Sequence, residues 1–394
     1  MMTEHEVKIK EFIQSGNLES WLHDQPAHLF PSFYPEKGEK PYPEKYNDLK
    51  NALIPLHNIV EKGALVAAVT EWKASISKQI NKVKRTKGTS SSDFKLLNEA
   101  ISFDPIIYLN QHGVGHVNKV IEKTYEMLIN FTSDTLSPSE VFLLLCSIQV
   151  HDTGNVFGRC GHERTIKQAT IDKLSAIIPD VPTQNRIYRI AQVHSGNVNG
   201  NRDTISSSPL RQDGNLFDKP IREPLLAAIL RFADELADDS SRADMEALSL
   251  DVTPDASTIY HHYSNSLHTV SIRKNTVNQT LFLSLEYFVS SDLITKRFPK
   301  FDGTQLLIDE IFDRTKKVEQ ERRYCMRFFS QYLPIVEIRI RIEIDPGYDL
   351  MNPEVITYTL RENGYPTKDI SIDYPENTGE KVIAALMGKG WRLS

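Results

Sequence analysis

Five of the chain's twelve histidines fall, with two aspartates, into one stretch of the sequence. His112 and His116 stand four apart in Gln111-His-Gly-Val-Gly-His-Val117, and His151 directly precedes Asp152. His162 follows in Gly161-His-Glu163, then His194 in Ala191-Gln-Val-His-Ser195, and finally Asp234 in Leu230-Arg-Phe-Ala-Asp-Glu-Leu236. Imidazoles mixed with carboxylates and without thiolates are a donor set for Mn, Fe, Co, Ni, Mg or Zn rather than for a thiolate-selected metal. Each residue alone has a plain alternative. A histidine at a helix end is commonly a solvated cap, and Asp234 could pair with Arg231 three residues earlier on the same helix.

The elements that must carry these residues read as helices. Ser137-Pro-Ser-Glu140 combines an N-cap serine, a proline at the first helical position and a glutamate that closes a capping box. Eight of the ten residues 141–150 are apolar or cysteine, so the helix is apolar on nearly every face and therefore buried. It ends at His151-Asp152, and a charge delivered into a core is costly unless something pairs with it. A divalent metal would. His112 and His116 share a face if both are helical. From Asp93 to Asp244 the pattern is helical, broken by a long polar loop at 196–219 of the kind that serves as a lid or binding loop.

Around this stretch, residues 1–24 read as short helices docked through Trp21 and Leu22. Residues 25–46 form a proline- and aromatic-rich segment that packs against the rest. Residues 47–84 read as two helices, followed by a polar loop at 84–92. Strands are expected at 266–273, 280–289 and 335–344, where apolar and polar residues alternate. A long helix is expected at 304–331, and helix, strand and helix at 353–363, 368–373 and 376–388. The fold class is α+β and multidomain, with an N-terminal helical and extended region (1–92), a central all-α domain (93–250) and a C-terminal α/β domain on a small mixed sheet (251–394). Lys316-Lys-Val-Glu-Gln-Glu-Arg-Arg323 reads as a charged helix face.

A net charge of −6 argues against a generic nucleic-acid coat. Three cysteines without paired spacing suggest neither disulfides nor a structural zinc site. The N-terminal Met-Met-Thr-Glu-His-Glu has no apolar run, and no stretch approaches a membrane span, so a cytoplasmic protein without membrane contact is expected.

In order and context, His116, His151-Asp152 and Asp234 resemble the H…HD…D signature of the HD-domain metal-dependent phosphohydrolase superfamily, over about residues 100–245. His-Gly-x-x-His-Val, the apolar helix ending His-Asp-x-Gly, and Leu-Arg-x-Ala-Asp-Glu-Leu all take part. The resemblance implies that His116, His151, Asp152 and Asp234 hold one metal. His162 and His194 stand where members with two metals carry further ligands, and there Asp152 would bridge the ions. The Gly-Tyr-Pro extension of the cyclic-di-GMP phosphodiesterase branch is absent after His194.

The implied activity is hydrolysis of a phosphoester by a metal-activated water, with Asp152 and His112 as catalytic residues and a nucleotide or short nucleic acid as substrate. A nucleotide phosphohydrolase, a phosphodiesterase and a single-strand nuclease, with manganese among the metals, all fit. His112 would contact phosphate or donate a proton to the leaving oxygen. Arg159 and Arg164 flank His162 and could grip a phosphate bidentately, with Lys119 and Arg231 as further cations. A second class of reading is a nucleotide-sensing or partner-binding module that keeps the metal. The C-terminal domain is left to mediate oligomerisation, cover the site or recognise a protein partner.

Overall fold

The computed structural model describes residues 3–26, 33, 39–61, 112–157, 161–197, 200–211, 214–216, 219–249, 253, 255–300, 303–347, 352–362 and 378–391. The second helix expected within 47–84, the loop at 84–92, Arg159 and the strand at 368–373 lie outside these residues.

The order begins with α1 (Glu4–Ser15), α2 (Leu18–His23), α3 (Tyr42–Val60), α4 (Val114–Ile129), α5 (Pro138–Val150), α6 (His162–Ile177) and α7 (Val181–Gln192). It continues with the hairpin β1 (Gly214–Leu216) and β2 (Lys219–Ile221), then α8 (Glu223–Leu236), α9 (Met245–Ser249) and α10 (Asp255–Ser266). The C-terminal part holds β3 (Leu267–Lys274), β4 (Leu281–Ser290), β5 (Arg297–Lys300), β6 (Gly303–Leu306), α11 (Leu307–Phe329), β7 (Ile335–Asp345), β8 (Glu354–Arg361) and α12 (Gly379–Gly388). The class is α+β, as the sequence implies, with the four-stranded sheet in the C-terminal part; the central region expected to be all-α also holds the short antiparallel β1–β2 hairpin at the end of its long polar loop.

Every residue of α5 is buried. Its capping box forms as the sequence requires: the Glu140 amide donates to Ser137 Oγ at 3.3 Å and the Ser137 amide to Glu140 Oε2 at 3.0 Å. Helices α3, α4, α7 and α8 pack around it. The N-terminal region docks here too. Trp21 stacks on Phe12 at 4.4 Å, and Phe33 from the proline-rich segment meets Phe142 of α5 edge-on at 5.8 Å.

The four-stranded sheet has the order β3-β4-β7-β8; β4 and β7 are parallel and the outer pairs antiparallel, so the sheet is mixed. A parallel pair needs a crossover, and α11 provides it. Its buried residues Leu307, Ile311, Val318, Arg322, Cys325 and Phe329 recur at helical spacing, and it packs against both the sheet and α8.

Residues 353–363 are not a helix. Val355-Ile-Thr-Tyr-Thr359 is β-branched and aromatic, and this preference prevails once β7 offers an edge to pair with. The charged segment 316–323 is more than a solvated face. Lys317 pairs with Glu235 at 2.6 Å, Glu321 with Arg231 at 2.7 Å, and Arg322 with Glu319 at 2.6 Å, which makes it a seam to α8 and within α11. No helix among the described residues is long and apolar enough to cross a membrane.

Candidate metal centre

His116 sits in the first turn of α4, on the face that also buries Val120, Thr124 and Met127. His151 caps α5, and Asp152 begins the turn beyond it. That turn is brought against the start of α6 by Gly154, where a Cβ would lie 1.9 Å from the His162 carbonyl oxygen. Only glycine permits so close an approach. Gly161, at φ +69, caps α6 in the left-handed conformation and delivers His162 as its first residue. His194 lies just past α7, and Asp234 in the last turn of α8.

These residues converge. Asp152 Oδ2 lies 2.9 Å from His112 Nδ1, 3.5 Å from His116 Nε2 and 3.4 Å from His151 Nε2. Its other oxygen, Oδ1, lies 3.3 Å from His162 Nε2 and 3.7 Å from His194 Nε2, and accepts from Asn155 Nδ2 at 2.9 Å. Asp234 Oδ1 lies 3.0 Å from His116 Nε2 and 3.7 Å from His151 Nε2. The possible donor atoms therefore fall into groups that meet at one carboxylate: His116–His151–Asp234 and His112–His116–Asp152 on one side, Asp152–His162–His194 on the other. The cluster is buried apart from His112 and Asp234, whose side chains are 14% and 26% exposed, so the mouth lies on that side.

Two imidazoles have their tautomer fixed from behind. The Nδ1–H of His151 donates to the Ile148 carbonyl at 2.7 Å and that of His194 to the Ala191 carbonyl at 2.6 Å. Each ring thereby turns its Nε2 lone pair inward, as ligating histidines do. The inward nitrogens are poorly satisfied without an ion. His151 Nε2 and both ring nitrogens of His116 have no hydrogen bond, although Asp234 is 3.0 Å from His116 Nε2. A buried, unmade hydrogen bond costs about 1–3 kcal/mol. His162 and His194 share a hydrogen bond between their Nε2 atoms at 3.0 Å, and with His194 Nδ1–H committed to Ala191 it is His162 that donates.

The charges tell the same story. Burial disfavours protonation of His151, but the Asp152 and Asp234 carboxylates outweigh it and hold its pKa up to about 10. Burial would raise both carboxyls, yet the surrounding histidines keep them well below the ordinary range. Burial keeps His116 and His194 below the usual histidine value. Two ionised carboxylates so deep in the protein need a cation. A proton on His151 is a partial substitute, and a divalent ion is the fuller one. The cluster could bind a metal ion.

His112 joins the cluster differently from the expectation of a shared helix face. Helix α4 begins only at Val114, so His112 precedes its N-cap Gly113 and reaches Asp152 from a turn. Gly113 packs against the Glu61 carboxylate, 2.4 Å from where a Cβ would sit. Asp234 does not pair with Arg231, which turns away to Glu321 and to Thr204. That leaves Asp234 to the histidines. Lys119 pairs with Asp239 and with Glu122, each at 3.1 Å. Arg164 is 60% exposed and pairs with Glu163 at 3.5 Å. The long loop is tied down where it is described: the Ile205 amide donates to Tyr324 Oη at 2.8 Å, and Thr204 accepts from Arg231 at 2.7 Å.

Two residues at the site carry no signal in the sequence reading. Arg242, in the short turn after α8, brings Nη2 to 3.0 and 3.2 Å from the two ring nitrogens of His112. His57 lies on the buried face of α3, with both ring nitrogens without a hydrogen bond, and burial lowers its pKa to about 4 while His151 and Asp152 act on its charge. The spacing Leu49, Leu53, His57, Val60 marks His57 as inward-facing, and this was the available clue. A cavity of about 1050 Å³ between α1, the start of α5 and Arg222 includes none of the cluster's residues.

Helices that bring histidines and aspartates to a shared HD aspartate define an HD-type domain. A family model described as HD-CE matches residues 106–317, a little over half of the chain, and the chain belongs to the HD-CE family. The match runs from before His112 past the β5–β6 hairpin into α11. No curated protein and no solved structure matches the chain.

Proposed function

We propose that this protein is a metal-dependent hydrolase of phosphoester bonds, acting on a nucleotide or short nucleic acid. The observation that supports this most is the Asp152 carboxylate, whose two oxygens face separate groups of histidines, the arrangement suited to a pair of ions. His116, His151, Asp152 and Asp234 would hold one ion, and Asp152, His162 and His194 the other. Divalent ions there supply counter-charge for phosphoryl oxygens and make water nucleophilic near neutral pH.

The chain's own residues set the rest. Asn155 and His112 each donate to one oxygen of Asp152 and so fix the plane of the shared carboxylate. His112 donates from Nδ1 to Asp152, and the Arg242 guanidinium lies beside the same ring. His112 would contact the phosphate or donate a proton to the leaving oxygen. Lys119 would add positive charge for the substrate. The net charge of −6 favours small nucleotides over long polymers, whose binding leans on many cationic contacts.

The test is a phosphate-release and nuclease screen with added Mn, Mg, Co or Ni, over nucleoside triphosphates, deoxynucleoside triphosphates, cyclic dinucleotides, oligonucleotides and single-stranded DNA. Turnover of one class, absent in Asp152→Ala, supports the reading and names the substrate. A metal-loaded protein inert on all of them overturns it in favour of a nucleotide-sensing module.

A further inference from the structure

Three charged pairs join α8, and the residues just past its end, to α11. Arg231 meets Glu321 at 2.7 Å, Glu235 meets Lys317 at 2.6 Å, and Asp238 faces Arg314 at 4.0 Å. The numbers rise on one helix as they fall on the other, so the two run antiparallel. The first two rungs are close contacts. The third is longer, and its carboxylate is divided: Oδ2 faces Arg314, while Oδ1 lies 3.7 Å from Arg242 Nη1 and accepts from Ser264 of α10 at 3.0 Å. With its side chain 15% exposed, Asp238 is screened little by water, so both guanidiniums act on it.

Both arginines are anchored beyond Asp238. Arg314 donates from Nε to Glu310 at 2.8 Å, one turn earlier in α11, and its guanidinium lies 5.2 Å from the rings of both Tyr260 and Tyr263. Glu310 also accepts from Lys300 of β5 at 2.6 Å. On the other side, Arg242 brings Nη2 to 3.0 and 3.2 Å from the ring nitrogens of His112, which donates to Asp152 at 2.9 Å. Charges thus alternate in sign from Lys300 through Glu310, Arg314, Asp238 and Arg242 to the imidazole and carboxylate of the metal centre. His112 precedes the N-cap of α4, so helix geometry does not fix its ring; these contacts do. The match to the family model, over residues 106–317, spans every member of this chain of charges.

We propose that Asp238 is a positioning residue of the metal centre, holding Arg242 against His112 and so making α11 and the β5–β6 hairpin part of the site. This rests on the metal centre of the phosphohydrolase reading but not on turnover, so the probe is cobalt(II), whose visible absorption reports the geometry of its ligands. Cobalt is titrated into the metal-free full chain as wild type, Asp238→Asn, Asp238→Glu, Arg314→Gln and Lys317→Gln. Affinity, visible spectrum and thermal stability are recorded for each. Asparagine keeps the size of the side chain and an oxygen for Ser264 but loses the charge. Asp238→Asn is expected to shift the spectrum and to lower cobalt affinity about 10- to 100-fold, as loss of an outer support of metal ligands does. Asp238→Glu recovers most of the affinity, and Arg314→Gln shows the same spectral shift more weakly. Lys317→Gln breaks the neighbouring rung, which does not lead to Arg242, and is expected to lower stability with a wild-type spectrum. Where a substrate is found, Asp238→Asn lowers kcat with KM nearly unchanged.

A folded Asp238→Asn with wild-type spectrum and affinity overturns the proposal. So does an equal spectral change in Lys317→Gln, which would reduce Asp238 to general support of the fold. If Asp238→Asn does not fold, a wild-type spectrum in Arg314→Gln overturns it. A wild type that binds no cobalt overturns it together with the metal centre. A cobalt spectrum that depends on residue 238, in a protein that hydrolyses no phosphoester, would leave the positioning role standing and remove the hydrolase reading. Turnover with spectrum and affinity indifferent to residue 238 would do the reverse.

Discussion

The two sides of the Asp152 carboxylate are built by different means. On one side, His116, His151 and Asp234 come from α4, α5 and α8, helices embedded in the core. Two of these helices are also tied to the C-terminal part. Lys123 of α4 donates to the Val270 carbonyl of β3, and Arg231 of α8 forms a paired contact with Glu321 of α11 at 2.7 and 2.9 Å. On the other side, His162 is the first residue of its helix and His194 lies just past the end of another. The placement of His162 depends on Gly154 and Gly161, whereas His194 is carried by α7, which packs on α5, α6 and α8. One half of the site is held by mass, the other in part by turn geometry. The difference predicts unequal ligand groups, a firm ion and a second one more easily lost.

The sharpest break is at the shared residue. Asp152→Ala should remove both ions and lower turnover by on the order of a thousandfold or more, since it takes away a group on which the whole site depends. Metal analysis and turnover measure this together, and retained activity would refute the site assignment. Next in size is the clamp on the firm half. Arg231→Gln leaves the Glu321 carboxylate in a largely buried place without its partner, which should cost about 3 kcal/mol of stability by thermal or denaturant unfolding. A loss below about 0.5 kcal/mol would mean that α11 does not brace α8.

Gly154→Ala should act on the other half. The added methyl displaces the start of α6, so affinity for one ion should fall by about 10- to 100-fold while the other is retained. Equal loss of both ions would erase the distinction drawn here. The last effect is in pH. In the metal-free protein the folded pKa of His151, up to about 10, lies above its ordinary 6.5, so the stability it contributes is full below pH 6.5 and lost as pH rises towards 10. Metal replaces that proton. The metal-loaded protein should therefore lack this decline, and metal binding at pH 8 should release protons, as calorimetry in two buffers would detect.

Much of the firm half was legible in the sequence, because His151-Asp152 ends a helix that is apolar on nearly every face and Asp234 interrupts the apolar face of another. Residues 141–150 could only be buried, so His151-Asp152 had to enter the core. His162 and His194 were visible by type and by their helix-end positions, but not the glycine-dependent approach that joins the first of them to Asp152. Arg242 was hidden, because Asp238-Asp-Ser-Ser-Arg242 reads as a polar exit from a helix. Only the tertiary meeting of that turn with His112 gives it a role. The same limit explains β8. Its intrinsic preference for strand was present in Val355–Thr359, but the decisive partner, β7, comes from the chain's own tertiary structure. Glu321 and Lys317 likewise read as solvated charges until α8 is placed opposite them.

The claim that one carboxylate serves two unequal ligand groups is tested most directly by counting divalent ions in purified wild type and in the double variant His162→Ala/His194→Ala. The account predicts two ions per chain falling to one, with the fold unchanged. A wild type that never holds more than one ion, or a double variant that still holds two, would contradict it.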